Sequence, residues 1–537
     1  MLDDQKPVFH QLEQRDERAP NQSIYEHDPA HRLEDSLRVP ETPKKLQGNL
    51  PNRKPKVTFP PAVRVEFRTH QPGSPLERKL LAHAGISLSV LLTISSTAIA
   101  QSASPLSAKI DSVIDTAYKP DEPGGVVLVS KGGRVIYERA FGMANLELNV
   151  PMTRDAVFAI GSITKQFTAV AVLQQMEKGK LSLGDTVGKF LPDFPAHLKG
   201  ITIEQLLTHT AGVPNAKSVS SLLGLGRGWL SAVQVMATFK DQPLDFEPGT
   251  RWSYSNSGYQ LLGYVLEKAV GEPLPEFMEN TLLKPVGMEH SLWGNDMKLV
   301  PHRVSPYLFL RNGFENAVNG NIQIAWAAGA LQSTAQDFLK WHAALLNETL
   351  IKRSTLQKAW TPARLRDGSP TNYGYGWFIG ELQGSQLVEH GGNMGGFMSH
   401  AMYLPREEIL VEVFLNSRGK RLPELIATDI AALAIGRPLD IRPVTLPAEV
   451  LQSYAGSYRN INNEEISITL ENGQLVYQKA GGPKWKLMPY AKDKLFFDNT
   501  STIGEMKRNA RGEIIAFAMQ TLRGMDRNII TRVPKTQ

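Results

Sequence analysis

The hydrophobic positions along this chain fall into blocks with different periods. Leu106, Ile110, Val113, Ile114 and Ala117 recur at i, i+4, i+7 and i+8, which predicts an amphipathic helix over 106–118. Val126–Val129 and Val135–Tyr137 flank the turn Lys131-Gly132-Gly133 and predict a hairpin. After Ser162, the apolar positions Phe167, Val170, Leu173 and Met176 return at helical spacing up to the turn near Gly179. Residues 200–350 read as mainly helical, broken by loops such as Glu247-Pro248-Gly249. Strands are predicted at Leu387–Glu389, Phe397–Tyr403 and Ile409–Leu415. A hairpin early, strands late and helices between imply one mostly antiparallel sheet closed by both ends of the segment.

Beyond Gly436 the pattern changes. Residues 437–447 carry three prolines and read as a linker. Short alternating runs follow at Ile466/Ile468/Leu470, Leu475/Tyr477, Trp485/Leu487, Leu495–Phe497 and Ile514–Phe517, with Asn472-Gly473 between the first two. Asn-Gly between alternating runs is a strong hairpin signal. Residues 448–537 are therefore expected to form a small all-β barrel or sandwich, after an α+β domain over 101–436.

Upstream the pattern is lost. Residues 1–77 are proline-rich, carry charges of both signs and show no apolar period, so they read as disordered or as a mis-called extension. Residues 78–100 differ: Arg78-Lys79, an apolar run from Leu80 to Ile94, then Ala98-Ile99-Ala100. Those are the parts of a secretory signal peptide, displaced from the usual N-terminal place. The alternative is a membrane tether through 78–100. Either reading puts the rest outside the cytoplasm, secreted or periplasmic, or anchored in the inner membrane with everything after residue 100 outside.

Composition adds exclusions. The 537 residues carry a net charge of +6 and no lysine or arginine block, which gives no reason to expect nucleic-acid binding. With no cysteine, there are no disulfides, thiol nucleophiles or cysteine-ligated metals. No His-Glu-x-x-His pattern occurs, and no metal or other cofactor is expected. His197, His209, His290, His302 and His342 read as structural.

Three short motifs carry candidate chemistry. In Gly161-Ser162-Ile163-Thr164-Lys165, serine and lysine three apart lie on one helix face. A serine hydroxyl is a poor nucleophile until a base takes its proton, and a lysine with a lowered pKa can be that base. Alone, the pair also fits a helix cap with a solvated lysine. The same spacing recurs at Ser417-Arg418-Gly419-Lys420, which reads as a surface turn. The second motif is Tyr254-Ser255-Asn256: a tyrosine hydroxyl near a lysine can relay protons, and an Asn amide can donate to a substrate carbonyl. The third is Glu389-His390-Gly391-Gly392-Asn393 at a strand end. There the glycines let a substrate lie against the backbone, and the Asn393 N–H can pair with that of Ser162 as an oxyanion hole.

In this order, the three motifs resemble the serine β-lactamase family, and within it the branch of class C β-lactamases, DD-peptidases, D-aminopeptidases and related esterases. Leu206-Leu207-Thr208-His209-Thr210-Ala211-Gly212, Ala328-Gly329-Ala330-Leu331-Gln332-Ser333-Thr334 and Tyr373-Gly374-Tyr375-Gly376-Trp377 match its habits too. The resemblance covers about residues 105–435. The tail beginning Tyr454-Ala455-Gly456-Ser457-Tyr458 looks like the barrel appendage of some members. It implies an antiparallel sheet flanked by helices, with an all-helical subdomain. It also implies an acyl-enzyme on Ser162, proton transfer shared by Lys165 and Tyr254, and a substrate held by Asn256 and the strand from His390. The Ser162 and Asn393 N–H groups would form the oxyanion hole.

One departure narrows the substrate. β-Lactamases of this family usually carry Lys-Thr-Gly where this chain has His390-Gly391-Gly392. A mostly neutral His replaces the ammonium, and Gly391 removes a hydroxyl. An ester or D-amino-acid peptide or amide therefore fits at least as well as a β-lactam. Glu247 reads as structural. Two other readings are a penicillin-binding or sensing protein acylated without turnover, and a peptidoglycan-binding or assembly protein with a vestigial pocket.

Overall fold

The computed structural model describes residues 104–537, except 217–231, 295–296, 311–312, 318–321, 525–527 and 534–537. The calls on residues 1–77 and 78–100 lie outside the described residues. No helix among the described residues is long and apolar enough to cross a membrane.

Helix α1 (Pro105–Ala117) is capped by Ser104, whose Oγ accepts the Ser107 N–H at 3.1 Å, and Pro105 fills the first turn. The predicted hairpin forms as β1 (Gly125–Lys131) and β2 (Arg134–Phe141). The late strands are β3 (Phe378–Leu382), β4 (Ser385–Met394), β5 (Phe397–Leu404) and β6 (Ile409–Leu415). They assemble in the order β3-β4-β5-β6-β1-β2, every neighbouring pair antiparallel. The join is β1 on β6, with Gly125 opposite Leu415 and Lys131 opposite Ile409. The sheet is thus closed by the first and last strands of the segment, as the pattern implied.

Both faces of the sheet are covered. On one lie α1 and α5 (Pro423–Ala434), packing Ile110, Ile114, Ile426 and Ile430 on Val127, Val411 and Val413. On the other lie α2 (Thr164–Glu177) and α4 (Ala335–Leu346), packing Phe167, Val170 and Trp341 on Leu128, Leu410 and Phe414. Helix α2 is buried from Thr164 to Gln175 on every side, so its apolar stripe understates its burial. The Phe167 and Trp341 rings stack at 3.8 Å between centroids. The stretch 200–350 holds helices, among them α3 (Asn256–Val270), but also strands at Tyr307–Leu310, Gly313–Asn316 and Leu331–Ser333.

The second Ser-x-x-Lys is not a surface turn. Ser417 is buried in a two-residue strand running parallel to Tyr307–Leu310, while Lys420 turns away to pair with Glu122. Gly419 between them (φ +105°) redirects the chain.

The tail is a closed eight-stranded antiparallel barrel: β7 (Gly456–Arg459), β8 (Glu465–Glu471), β9 (Gln474–Lys479), β10 (Lys484–Ala491), β11 (Lys494–Phe497), β12 (Thr502–Arg508), β13 (Ile514–Thr521) and β14 (Asn528–Arg532). Tyr458 opposite Arg532 closes it. Asn472 and Gly473, both at positive φ, make the β8–β9 turn. Tyr458, Ile468, Leu487, Leu495, Phe517 and Ile530 fill the interior. A helix, Ala448–Tyr454, precedes the barrel, which the alternation of the tail did not indicate.

Trp341→Ala should leave a large hole beside Phe167 and cost about 3–5 kcal/mol, read as a lowered denaturation midpoint.

Candidate active site

Ser162 sits in a one-turn 3₁₀ helix, Gly161–Ile163, that runs straight into α2. Gly161 has φ +52°, and a Cβ there would lie 2.6 Å from the Asn393 nitrogen. The turn before Ser162 and the end of β4 are therefore in direct contact. A Cβ on Gly392 would meet the Ile160 carbonyl at 1.9 Å, an oxygen that accepts the Ser399 hydroxyl at 2.8 Å. Only glycine permits this approach.

One helical turn on, Lys165 is fully buried. Its Nζ lies 3.1 Å from Ser162 Oγ, 2.8 Å from Asn256 Oδ1 and 2.7 Å from the Ala328 carbonyl. Burial lowers its pKa well below 10.5. In its neutral form the amine has two hydrogens and one lone pair: the two carbonyl oxygens can take the hydrogens, which leaves the lone pair for the Ser162 hydroxyl. Thr164 and Thr168 fix the helix to the same strip: Thr164 Oγ1 accepts from the Leu331 N–H at 3.1 Å, and Thr168 Oγ1 donates to the Ala327 carbonyl at 2.7 Å.

Tyr254 lies across from the pair. Its ring centroid is 4.8 Å from Lys165 Nζ. Burial raises its pKa above the usual tyrosine value, opposed by the nearby Ser162 hydroxyl. At rest it is therefore a protonated phenol. The loop carrying it is pinned on both sides. The Ser253 N–H donates to the His209 carbonyl at 3.0 Å, and the Ser255 N–H to His209 Nδ1 at 3.1 Å. Asn215 adds a second clamp, its Nδ2 donating to the Tyr254 carbonyl at 2.8 Å and its Oδ1 accepting the Asn256 N–H at 2.7 Å. Ser255 rather than Asn256 caps α3, accepting the Gly258 N–H at 2.9 Å, which frees the Asn256 side chain to face Lys165.

The eight candidate residues converge, with one change of role. His390 is buried, not presented to the cleft. Its Nε2 is 3.1 Å from the Tyr373 hydroxyl and its ring packs near Tyr254 and Phe378. Burial, with Lys165 nearby, pushes its pKa down to about 3, so it carries no charge at neutral pH. Gly391 and Gly392 are buried, and Asn393 is exposed at the strand end. Glu247 forms an exposed ion pair with Arg366 at 2.6 Å, away from this chemistry. Among the described residues no cluster of His, Asp or Glu could hold a metal.

His209, Asn215, Tyr259 and Tyr373 were not foreseen as parts of the site. His209 stands at φ +60° with its ring 4.3 Å from Tyr254, 5.0 Å from Tyr259 and 4.6 Å from Tyr373. It and Tyr373 fall in stretches already singled out by resemblance. Asn215 lies in irregular chain and had no signal.

The β-lactamase family model matches residues 110–434. The chain belongs to the β-lactamase family. A penicillin-binding protein of Bacillus subtilis (strain 168) is 25% identical over 438 residues, covering 74% of this chain and 94% of that protein. A D-aminopeptidase of Gluconobacter oxydans (strain 621H) is 28% identical over 323 residues, covering 59% of this chain and only 60% of that protein. An octameric penicillin-binding protein homologue from Pyrococcus abyssi has the same fold, with TM-score 0.58 and 24% identity over 79% of this chain and 99% of that one.

Gly161→Ala should cost at least ~1 kcal/mol more than Gly179→Ala. Both glycines have positive φ, +52° and +70°, but a Cβ at Gly179 meets nothing within 4 Å. Thermal melts of the two variants measure the difference.

Proposed function

We propose that this chain is a serine hydrolase that cleaves an ester or a D-amino-acid amide through an acyl-enzyme on Ser162. The observation that carries the reading is the buried Lys165 amine, its hydrogens committed to Asn256 Oδ1 and the Ala328 carbonyl and its third direction facing Ser162 Oγ at 3.1 Å. In this mechanism Lys165 takes the Ser162 proton as Oγ attacks the substrate carbonyl. The resulting ammonium has all three hydrogens matched by acceptors. Tyr254 hands a proton to the leaving alcohol or amine and is reprotonated from Lys165. Water then attacks the ester on Ser162 by the reverse path and releases the acid. Backbone N–H groups of Ser162 and Asn393 take the oxyanion, each worth roughly 10²–10³ in rate.

A β-lactam is disfavoured as a turned-over substrate. The neutral, buried His390 provides no cation where the family's Lys-Thr-Gly would hold the drug's carboxylate. The similarity to a penicillin-binding protein keeps a second reading open: acylation by β-lactams without turnover. Export is part of the same proposal. It rests on the apolar run 80–94 and Ala98-x-Ala100, and N-terminal sequencing of the mature protein tests it.

The test is a panel of a short-chain nitrophenyl ester, D-amino-acid amides and nitrocefin against wild type and Ser162→Ala. Ester or amide cleavage should be present and should fall to background in the variant. Unchanged cleavage in Ser162→Ala would refute the assignment, and a persistent β-lactam adduct by mass spectrometry would favour the second reading.

The pH profile follows from Lys165. Its base form exists above its pKa in the free enzyme, so activity is held at high pH and lost as pH falls through that lowered value. The acid limb of kcat/KM should therefore sit well below 10.5. A limb centred at or above 10.5 would show that Lys165 is not the depressed base.

A further inference from the structure

The barrel reaches the catalytic sheet through the loop between β13 and β14. There the Arg523 carbonyl accepts the Glu381 N–H of the edge strand β3 at 2.9 Å. Arg523 is only 6% exposed; its guanidinium pairs with Glu389 on β4, and a second nitrogen lies 3.7 Å from Glu424 at the start of α5. The other Glu389 oxygen is 2.9 Å from His400 Nε2 on β5. Glu389, Glu424 and His400 are each 2% exposed or less. Arg523 and His400 hold the Glu389 carboxyl below the usual range despite its burial.

Glu389 immediately precedes His390-Gly391-Gly392-Asn393, and consecutive strand residues point to opposite faces. Leu387 belongs to the core shared with α1 and α5, and Val388 to the core shared with α2. Glu389 therefore anchors β4 from behind, while His390 points to the opposite face and packs against Tyr373 and Tyr254. The next two residues are glycines with no side chain to fix them. The end of the strand is in contact with the Ser162 turn through Gly392 and Gly161. On the strand leading up to that contact, the nearest side chains are His390, held by Tyr373 in front, and Glu389, held by Arg523 behind.

A buried ion pair is poor value as stabilisation, because apolar residues of similar volume usually do as well. What it fixes is position. We infer that Arg523, carried by the barrel, is a positioning residue of the active site: its ion pair with Glu389 sets the height of residues 390–393 against Ser162. The barrel is then a working part of the catalytic unit rather than an independent binding module. This inference rests on the hydrolase reading above.

The test uses the full chain. Arg523→Met, Arg523→Lys, Glu389→Gln and the Arg523→Met/Glu389→Gln double variant are compared with wild type. Three readouts are taken: kcat and KM on the ester, the thermal midpoint, and hydrogen exchange of the peptide spanning 385–394. Arg523→Met should lower kcat/KM about 10–100-fold, the scale of an ångström-sized misplacement, with most of the loss in kcat. Arg523→Lys, which keeps the cation, should recover part of it. The double variant removes both members of the Arg523–Glu389 pair and leaves only Glu424 without its cation, so it should regain part of its midpoint but not its rate. Exchange at 390–393 should be faster in both Arg523→Met and the double variant.

Wild-type kcat/KM in Arg523→Met, or recovery of rate together with midpoint in the double variant, would overturn the inference. So would unchanged exchange at 390–393, a readout that holds even if no tested ester is cleaved and the hydrolase reading itself fails. If Arg523→Met does not fold, Glu389→Gln and Arg523→Lys carry the same comparison.

Discussion

A lysine amine sealed from water is the constraint around which this fold is arranged. Lys165 cannot be solvated, so its N–H groups must meet fixed acceptors, and an acceptor out of place would leave a buried polar group unpaired. Satisfying it brings three distant segments together: α2, the loop ending in Asn256, and the strip 326–331. Thr164 and Thr168 secure the strip to the helix, while His209 and Asn215 secure the loop. Burial that makes the amine costly also lowers its pKa, which is what suits it to accept a proton at ordinary pH.

The surroundings of that amine are aromatic and nearly uncharged. Tyr254 and Tyr259 present their rings to Nζ at 4.8 and 5.5 Å, and His209 and His390 are held neutral by burial. Such a pocket has no fixed cation in its described walls beyond what Lys165 acquires. This is the physical ground for preferring a neutral ester or amide carbonyl over a substrate recognised through a carboxylate.

The sheet is the rigid frame for the opposite wall. Its closure by β1 on β6 ties the N-terminal hairpin to the C-terminal strands, so β4 reaches the Ser162 turn on a fully paired scaffold. The barrel meets that frame at the edge strand β3 and behind β4, where Glu381 and Glu389 engage Arg523. The Ile379 N–H of β3 goes to the Asn372 carbonyl and its Glu381 N–H to the Arg523 carbonyl, so these edge donors are not left open.

By itself the sequence determined the periodic elements, the antiparallel closure of the sheet and an all-β tail with a hairpin at Asn472-Gly473, because these follow from local alternation and turn chemistry written along the chain. The convergence of Ser162, Lys165, Tyr254, Asn256 and the His390 strand was legible only through the resemblance of the three motifs, taken together and in order, to a known family. Only the tertiary structure decided the rest. It separated the working Ser-x-x-Lys from the buried Ser417, whose lysine leaves for Glu122. It buried His390 against Tyr373, kept Tyr254 protonated, clamped the Tyr254 loop with Asn215 and set Arg523 of the barrel on Glu389. Those outcomes depend on burial and on partners from 17 to 298 residues apart, and no local pattern records which side of a strand will meet another domain.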